Sequence, residues 1–490
     1  MAMLNWILGL PLLGMLGLAL VPSLRVAGWI NLLLTLGEWL AAMLLGWRVF
    51  REGGFVAHGF HIDAFNVYLV GLTTFVGFTT AIFSRPYMTE LCHQGRLTRK
   101  RMRLYHAMFQ GFQLTMLLAL TTDNLGILWV AVEGATLATV LLVSLYRTPE
   151  AIEAAWKYFI LCGVGIALAL FGTVLVYFAA QPLVGRPEDG LTWSILYPHA
   201  AEMHPTVMGM AFVFLLVGYG TKVGLAPMHF WLPDAHSEGP TPVSAVLSGL
   251  LLNVALYAVV RFKMLVGPSL HSAGLPDLSG YLMMVFGLLS FSMAVLFLHR
   301  QRDIKRMFSY SSIEHMGLMT FALGIGGPLA TFAALLHMLV HSLTKSAIFV
   351  TVGHATHIAG TQSLEHIRGM IRTQPSVGWG LLLGVAAIAG FPPFGVFTSE
   401  FLILTATMHS WPWLTGILLS GLAIAFAGLF RYIHPVVYGP APEGQKPVRA
   451  NMAPVVVHLM LVLWLGLALP SFLSHWIDEV TQLIAGRGML

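Results

Sequence analysis

Long apolar segments separated by short polar loops run along the whole chain. The segments are about 20 residues long or longer, which is what an α-helix needs to cross the ~30 Å hydrocarbon core of a membrane. The pattern predicts fourteen transmembrane helices, near residues 3–22, 27–50, 62–83, 104–121, 124–146, 156–179, 206–226, 241–265, 279–299, 307–325, 328–354, 377–405, 411–435 and 453–474. The remaining residues, 475–490, are predicted to form a surface amphipathic tail whose apolar stripe comprises Trp476, Ile477, Val480 and Leu483.

The composition agrees with a membrane protein. Of the 490 residues, 57% are hydrophobic and 10% are charged, whereas an ordinary soluble domain has about 25% charged residues. This excludes a soluble globular protein and favours an all-α, polytopic membrane protein with a single membrane domain, residues 1–490. The two cysteines form no CxxC motif, and no phosphate-binding, dinucleotide-binding, haem or flavin motif is present. We therefore expect no cofactor and no metal in this chain.

Basic residues are distributed unevenly between the two sets of loops. Of the 26 Lys and Arg residues, 18 lie in loops that follow odd-numbered predicted helices, and 6 lie in the other loops or the tail. Short loops rich in Lys and Arg stay in the cytoplasm, so we expect both termini on the non-cytoplasmic side. The basic stretch 300–306 is predicted to face water and lipid headgroups. We interpret these charges as topology signals and not as a nucleic-acid footprint.

Two ionisable residues fall near the middle of predicted helices 5 and 7. Glu133 lies ten residues, or ~15 Å along a helix, after Asp123, and Lys222 follows a long apolar run. Charge at the middle of a membrane is costly, so such a residue is by default a functional-site hypothesis. We favour a Glu133 and Lys222 pair that handles protons. The alternatives are a lysine that snorkels from a helix end, or two independent sites.

Predicted helix 11 carries three ionisable residues in register. His337, His341 and Lys345 are spaced four apart and therefore lie on one face of the helix. Histidine titrates near physiological pH, so this ladder suggests a proton relay. The alternative is that each histidine hydrogen-bonds a buried group and joins helices. A zinc site is a further alternative, but HxxxH on its own is a weak signal and no carboxylate or cysteine completes it at nearby spacing.

Predicted helices 7 and 12 are interrupted. Prolines between Pro227 and Pro242 break the first, and Pro392 and Pro393 break the second just before Glu400. Broken membrane helices with an adjoining ionisable residue are typical of transport sites built from inverted repeats. The alternative is that these prolines only end helices.

The two breaks suggest a five-helix unit that is used twice. The first unit would comprise helices 4–8, residues 104–265, and the second would comprise helices 9–13, residues 279–435. In this arrangement, a pairing of Lys345 with Glu400 would echo the pairing of Glu133 with Lys222.

Other polar residues have two interpretations each. His229, Asp234 and His236 lie at the first break, where they could line a path for proton uptake from the cytoplasm or cap helix ends. Glu314 and His315 could link the two units, although a hydrogen bond between helices explains them equally well.

Several segments resemble the antiporter-like membrane subunits shared by respiratory complex I, multisubunit sodium/proton antiporters and group 4 membrane-bound hydrogenases. The most specific is GYGTKVGLAPMHFWLPDAHSEGPTPVSAVLSGLLLNVALYAVVRF at 218–262. It is supported by EAAWKYFILCGVGIALALFG at 153–172, DIKRMFSYSSIEHMG at 303–317, HMLVHSLTKSAIF at 337–349 and GFPPFGVFTSEF at 390–401. Within that family, the LNVALY and DAHSE forms are most similar to the F component of the hydrogenase-4 and formate hydrogenlyase type.

The resemblance implies roles for individual residues. Glu133 matches the family's helix-5 glutamate, Lys222 its helix-7 lysine, Lys345 its helix-11 lysine and Glu400 the ionisable residue of broken helix 12. The chain departs from the pattern at Asn253, where many relatives have a lysine, so His337 or His341 would have to bridge the two halves.

The resemblance also implies a function. We expect a proton-translocating subunit of a membrane-bound redox complex in a bacterial or archaeal plasma membrane, with other membrane subunits and a peripheral redox arm as partners. The metal, iron–sulfur or nickel–iron centres would belong to those partners. The alternatives are a sodium/proton antiporter subunit and a membrane coupling subunit of a carbon dioxide uptake complex.

Overall fold

Apolar segments of the chain are α-helical, because a helix satisfies its backbone hydrogen bonds internally and so tolerates a hydrocarbon environment. The computed structural model describes residues 2–441 and 450–485. The helices are α1 (Ala2–Leu18), α2 (Leu24–Glu52), α3 (Ala64–His93), α4 (Arg99–Thr121), α5 (Leu125–Val143), α6 (Pro149–Ala180), α7 (Trp193–Leu196), α8 (Pro205–Val223), α9 (Trp231–Glu238), α10 (Thr241–Val246), α11 (Leu252–Ser272), α12 (Leu278–Leu298), α13 (Ile304–Ile325), α14 (Gly327–Ala359), α15 (Met370–Thr373), α16 (Pro375–Ile388), α17 (Gly395–Ser410), α18 (Pro412–Tyr438), α19 (Ala453–Leu467) and α20 (Ser471–Ala485).

The remaining elements are short. Strands β1 (Phe55–Ala57) and β2 (Phe60–Ile62) pair antiparallel as a hairpin between α2 and α3, which the sequence analysis did not predict. A π-helical segment, Leu247–Leu251, joins α10 to α11. Three 3₁₀ turns are Ser144–Tyr146, Pro187–Leu191 and Tyr197–Glu202.

The predicted all-α, polytopic architecture is confirmed. Predicted helices 1–6 correspond to α1–α6, helix 7 to α8, helix 8 to α10 with α11, helices 9–11 to α12–α14, helix 12 to α16 with α17, helix 13 to α18 and helix 14 to α19. Within the described residues, nine helices are long and apolar enough to cross a membrane, or ten if α19 and α20 form one bent span. The count of fourteen crossings therefore stays a prediction.

Predicted helices 7 and 12 are both broken. α8 ends at Val223, where Gly224 adopts φ +84°, and the chain resumes helical structure at Trp231. α16 ends at Ile388 and α17 begins at Gly395. Each break leaves backbone groups outside a helix, which is tolerated at membrane depth only where protein or a polar cavity surrounds them.

The end of the described chain differs from the predicted boundary at residue 475. α19 ends at Leu467, α20 begins at Ser471, and the two helices meet at a bend of 80°. Pro470 explains the position of the bend, because proline lacks the N–H that a continuing helix needs. Residues 486–490 of the predicted tail, and Lys446, Arg449 and Arg487 of the charge count, lie outside the described residues.

α20 packs its apolar stripe against the rest of the protein. Ile477 and Val480 are buried, and the indole of Trp476 stacks on Phe50 and donates a hydrogen bond of 2.9 Å to the Ala64 carbonyl oxygen. The predicted apolar stripe of the tail therefore contacts the ends of α2 and α3.

The segment Thr241–Ser272 and helix α14 form the centre of the bundle. In an apolar stretch of 18 residues within Thr241–Ser272, 100% of the residues are buried. The corresponding share is 94% for α14 and only 39% for α6. Polar residues on these two central elements therefore face other helices and not lipid.

Two glycines set the close packing of α12 against α13. A Cβ atom on Gly287 would lie 2.5 Å from the Phe321 nitrogen, and one on Gly317 would lie 2.6 Å from the Phe291 nitrogen. Small residues at such contacts let two helix backbones approach closely. This contact fixes α13, and with it Glu314 and His315, against the bundle.

Candidate functional site

Lys222 lies at the C-terminal end of a helix that stops inside the protein. It occupies the last turn of α8, just before the break at Gly224, and its side chain is completely buried. The unpaired carbonyl groups of a helix C-terminus carry partial negative charge, which favours a cation there. The break thus places a lysine and a favourable helix end at the same point.

A single hydroxyl group joins Lys222 to Glu133. The Thr136 hydroxyl donates a hydrogen bond of 3.0 Å to Oε2 of Glu133, and the Lys222 ammonium group donates to the same Thr136 oxygen. Glu133 and Thr136 are one turn apart on α5, so this helix supplies both groups. The structure therefore brings the predicted pair together through Thr136, without a direct ion pair between them within the described residues.

Aromatic and thiol groups complete the surroundings of Lys222. Its Nζ atom lies 5.1 Å from the centre of the Tyr158 ring, and the Cys162 thiol is close enough to interact with it electrostatically. The Tyr158 hydroxyl lies 2.7 Å from Oγ1 of Thr139. Trp231 stacks on Tyr158 at 4.5 Å, so the first helix after the break covers the site.

The second cluster joins three helices through imidazole rings. Nε2 of His337 on α14 lies 3.0 Å from Nδ1 of His315 on α13, and Nδ1 of His337 lies 2.8 Å from the Ser399 hydroxyl on α17. Oε1 of Glu400 lies 3.9 Å from Nδ1 of His315. All four side chains are buried, so the cluster forms a continuous polar path across α13, α14 and α17.

His341 and Lys345 extend this cluster along α14. The His341 ring centre is 5.4 Å from that of His315, and neither of its nitrogens has a hydrogen-bond partner among the described residues. The Lys345 ammonium group donates a hydrogen bond of 3.0 Å to the Phe308 carbonyl oxygen and interacts electrostatically with Glu314. The predicted histidine and lysine ladder is thus entirely buried.

Neither Glu400 nor Glu314 forms an ion pair within 4 Å with Lys345 in the described part of the chain. Glu314 is the carboxyl group whose charge acts on Lys345. Glu400 follows Ser399, which bonds His337, and His337 is eight residues or ~12 Å along α14 from Lys345. The structure therefore differs from the expected echo of the first pair, because Glu400 lies at the level of His337.

Asn253 ties the first half of the chain to α14. Its amide nitrogen donates to Oγ of Ser342 at 2.7 Å and to the Met338 carbonyl oxygen at 3.3 Å. Ser342 in turn donates to the Gly249 carbonyl oxygen at 2.7 Å, within the π-helical segment. Asn253 therefore contacts α14 directly beside His341, where an amide can hydrogen-bond but cannot take up a proton.

The three residues at the first break have different surroundings. Asp234 forms ion pairs with Lys157, at 3.2 Å, and with Arg306, so it links α9 to α6 and α13. His236 stacks on Phe349 at 4.8 Å, and His229 is 1% exposed. No nitrogen of either ring has a hydrogen-bond partner among the described residues. These histidines remain candidates for proton uptake, whereas Asp234 serves an ion-pair network.

Lys305 is an exception to the expected exposure of stretch 300–306. It is 2% exposed and donates hydrogen bonds to the carbonyl oxygens of Ser237, at 3.2 Å, and Gly239, at 2.7 Å. These carbonyls belong to the C-terminal end of α9, where a helix leaves acceptors unpaired. The charge therefore secures the helix after the first break.

Thr136 and Ser399 are the site residues that sequence reasoning missed. Both are buried hydroxyl residues, and buried hydroxyls in membrane helices are common, so neither stands out alone. The available signal was their spacing, because Thr136 is one turn after Glu133 and Ser399 immediately precedes Glu400. No group of three or more His, Cys, Asp or Glu residues in the described chain is arranged to hold a metal ion.

The chain is similar in sequence to known proteins. The sequence model of the family described as NADH:quinone oxidoreductase/Mrp antiporter, transmembrane, matches residues 122–427. A relative named hydrogenase-4 component F homolog, from Methylacidiphilum infernorum (isolate V4), is 45% identical over 474 residues, which cover 97% of this chain and 98% of the relative.

Two solved structures share the fold. A chain of the archaeal membrane-bound sulfane sulfur reductase has a TM-score of 0.86 at 24% identity, over 98% of this chain and 97% of that chain. A chain of the Mrp complex from Dietzia sp. DQ12-45-1b has a TM-score of 0.83 at 18% identity, over 99% and 100%. The family match covers more than half of the chain, and the resemblance expected from the motifs is confirmed: this protein belongs to the NADH:quinone oxidoreductase/Mrp antiporter family of antiporter-like membrane subunits.

Proposed function

We propose that this chain is the proton-translocating, antiporter-like subunit of a membrane-bound redox complex of the hydrogenase or complex I type. The relative that matches almost the whole chain has the name of a hydrogenase-4 component. The observation that carries the proposal is the pair of clusters: the Thr136 hydroxyl joins half-buried Glu133 to buried Lys222, and the imidazole of His337 joins His315 to Ser399.

The first cluster can transfer a proton in one concerted step. As the Lys222 ammonium group gives a proton to the Thr136 oxygen, the Thr136 hydroxyl gives its own proton to the Glu133 carboxylate. Lysine becomes neutral, glutamate becomes neutral, and the hydroxyl is regenerated. A switch between the charged and the neutral pair changes the field inside the membrane, and such a change can gate movement of a proton elsewhere.

The second cluster supplies the exit in this proposal. Protons enter from the cytoplasm near α8 and α10, pass the midplane row of Lys222, His337, His341 and Lys345, and leave near Glu400. Imidazole can donate from one nitrogen and accept at the other, which suits His337 and its two partners. Glu314 is the acidic partner of Lys345 in this path.

The link between the clusters passes through α11. This helix packs against α8 and bonds α14 through Asn253. No hydrogen bond or ion pair joins Lys222 to the second cluster within residues 2–441 and 450–485. Because an amide does not take up protons, we assign the bridging task to His341, which lies beside the Asn253 contact.

The proposal includes the two five-helix units, residues 104–265 and 279–435. Each unit contains one broken helix, and each break adjoins an ionisable residue, Lys222 in the first and Glu400 in the second. The distribution of basic loops supports both termini on the non-cytoplasmic side. The redox centres belong to partner subunits in this proposal.

The test uses the complex as it assembles in its own membrane. Inverted vesicles that contain a tagged chain are supplied with the electron donor of the purified complex, and proton uptake is followed with a fluorescent pH probe. Lys222→Met should abolish proton uptake while the complex still assembles. Lys100→Met, at an exposed position in the first turn of α4, is the matched control and should leave uptake close to the parent level.

Three outcomes would contradict the proposal. Unchanged proton uptake in Lys222→Met vesicles would show that this chain does not carry the protons. Sodium-dependent proton movement without an electron donor would favour the antiporter, and co-purification with a zinc protein in place of an oxidoreductase would favour the carbon dioxide uptake complex.

A further inference from the structure

Helices α2, α3 and α4 contain a second row of buried polar side chains. The row lies before residue 122, outside the part of the chain that matches the family, and the path proposed above does not use it. On α2 it comprises Asn31, Thr35 and Glu38, and on α4 it comprises His106, Gln110 and Gln113. Each of these six side chains is at most 1% exposed.

The polar faces of α2 and α4 point at one another. In both helices the three residues are spaced four and three apart, which places them on one face. Nε2 of Gln110 donates a hydrogen bond of 3.0 Å to Oδ1 of Asn31, which fixes the two faces in contact. Glu38 is two turns further along α2 on that same face, so it also faces α4.

Glu38 and Gln113 both lie near the Gly77 and Phe78 positions of α3. Trp39, the neighbour of Glu38, stacks on Phe78 of α3 at 5.7 Å. A Cβ atom on the adjacent Gly77 would lie 1.5 Å from Nε2 of Gln113. Glu38 is fourteen residues, or ~21 Å, from the start of α2, which places it deep in the membrane.

Many polar atoms of the row have no hydrogen-bond partner among the described residues. They include both carboxylate oxygens of Glu38, both amide atoms of Gln113, Oε1 of Gln110 and Nδ1 of His106. Buried polar groups in proteins are almost always hydrogen-bonded, and where protein groups are lacking, ordered water supplies the partner. We expect this row to hold water.

The row is polar on only one side of Glu38. Towards the end where α4 begins, it continues past Gln110 to His106. In the other direction the buried positions of α2 are Ala41, Ala42, Leu45 and Val49, and those of α4 include Met116, Leu117 and Leu120. A water-filled row would therefore end at Glu38.

Among the described residues of the helices packed against α2, Glu38 has no counter-ion at its own level. Among the helices packed against α2, α1 has no ionisable residue from Ala2 to Leu18. On α3, Arg85 lies over the ring of Trp29 at 4.1 Å, nine residues from Glu38 along α2. On α4, the nearest ionisable group of the row is His106, seven residues from Gln113. A bare carboxylate in such a place is costly, so the carboxyl group would carry a proton.

We propose that Glu38 is a second proton-binding site, which water reaches through the row of Gln113, Gln110 and His106 from the side of the membrane on which α4 begins. The ligand is a proton, and the site is separate from the row between Lys222 and Glu400. It stands whether or not that other row conducts protons.

Carbodiimides test the site because they react with protonated carboxyl groups. The intact complex in membrane vesicles of both orientations is treated with lipophilic dicyclohexylcarbodiimide in a neutral or an alkaline medium, with the lumen kept neutral, and labelled peptides are identified by mass spectrometry. We expect labelling of Glu38 in both orientations at neutral pH. An alkaline medium should suppress the labelling only when the loop before α4 faces the medium, because the carboxyl group loses its proton through water on that side.

Variants separate access from reactivity. In Gln113→Leu, labelling by dicyclohexylcarbodiimide should persist in the alkaline medium, because an apolar side chain would interrupt the water row that connects Glu38 to that side. Thr115→Val is the matched control on α4, since the Thr115 hydroxyl donates only to the Phe112 carbonyl oxygen of its own helix. Labelling of the parent protein is informative even if a variant fails to assemble.

Three results would overturn the proposal. The first is absence of label at Glu38 at neutral pH, while other carboxyl groups of the same sample react. The second is the same response to the alkaline medium in both orientations. The third is protection of Glu38 by sodium ions, but not by choline at the same ionic strength, which would identify a cation site in place of a proton site.

Discussion

Nε2 of His337 lies 3.0 Å from Nδ1 of His315, so two imidazoles on neighbouring helices share one hydrogen bond. One of these nitrogens must carry the proton and the other must accept it. The second nitrogen of His337 faces the Ser399 hydroxyl. A proton that arrives at one end of this chain can therefore leave from the other without any large movement.

Ser399→Ala should slow redox-driven proton uptake while the complex still assembles. The change removes the 2.8 Å contact that orients Nδ1 of His337. Thr407→Ala is the matched control on α17, because that hydroxyl donates only to the Ile403 carbonyl oxygen of its own helix. Proton uptake and electron transfer are measured in the same vesicles. Equal uptake in the two variants would exclude a role for Ser399 in the path.

Thr136→Val should uncouple Glu133 from Lys222. Valine keeps the shape of threonine but removes the hydroxyl that both charged groups contact. Leaving such buried groups without a partner costs about 1–3 kcal/mol, so we expect lower thermal stability as well as lower proton uptake. Thr136→Ser restores the hydroxyl and should restore uptake. The interpretation fails if valine and serine give the same uptake.

Gly390→Ala should displace Glu400. Gly390 adopts φ +68°, and a Cβ atom there would lie 2.0 Å from Oε2 of Glu400. The left-handed conformation alone makes alanine less stable than glycine by about 1–2 kcal/mol. We expect a lower melting temperature and lower proton uptake. Gly416→Ala is the control, because no atom lies within 4 Å of a Cβ at that position.

Asp63→Asn should destabilise the protein outside the proton path. The Asp63 carboxylate caps α3 and lies 2.6 Å from Nη2 of buried Arg261. Asparagine still caps a helix, but it leaves Arg261 without a counter-ion, and breaking a buried pair costs about 3–5 kcal/mol. Glu188→Gln, at an exposed contact with Arg186, is the control and should change little.

The effect of pH on the stability difference between the parent protein and Asp63→Asn follows from the pKa of Asp63. Burial raises the pKa of the Asp63 carboxyl group. Arg261 and His61 lower this pKa by more than burial raises it, so it lies well below the usual range. The stability contributed by a lowered pKa is present above the unfolded value of about 3.9 and is lost as pH falls through the folded value. The difference in melting temperature between parent and Asp63→Asn should therefore not decrease between about pH 8 and about pH 5. A marked decrease towards pH 5 would contradict it.

The sequence predicted which residues of the candidate site lie deep in apolar segments. It did not predict which of their side chains are in contact. Lys222 and Glu133 stand out because ionisable residues inside apolar runs are rare. Thr136 and Ser399 do not stand out, since hydroxyl residues are ordinary in such helices. The expected partner of Lys345 was Glu400, but no ion pair joins them in the described residues and Glu400 lies 3.9 Å from His315, because the contacts depend on how α13 and α17 are shifted along α14.

The sequence by itself determined the all-α membrane architecture, the broken helices and the buried positions of the lysines and histidines. These features follow from local rules, namely the length of apolar runs, the missing N–H of proline and the cost of charge in hydrocarbon. Only the tertiary structure decided which side chains touch, including His337 with His315 and Gln110 with Asn31. Such contacts depend on the rotation and relative height of packed helices. These are set by close approaches between two helices, such as that of Gly287 on α12 to α13, and no single segment determines them.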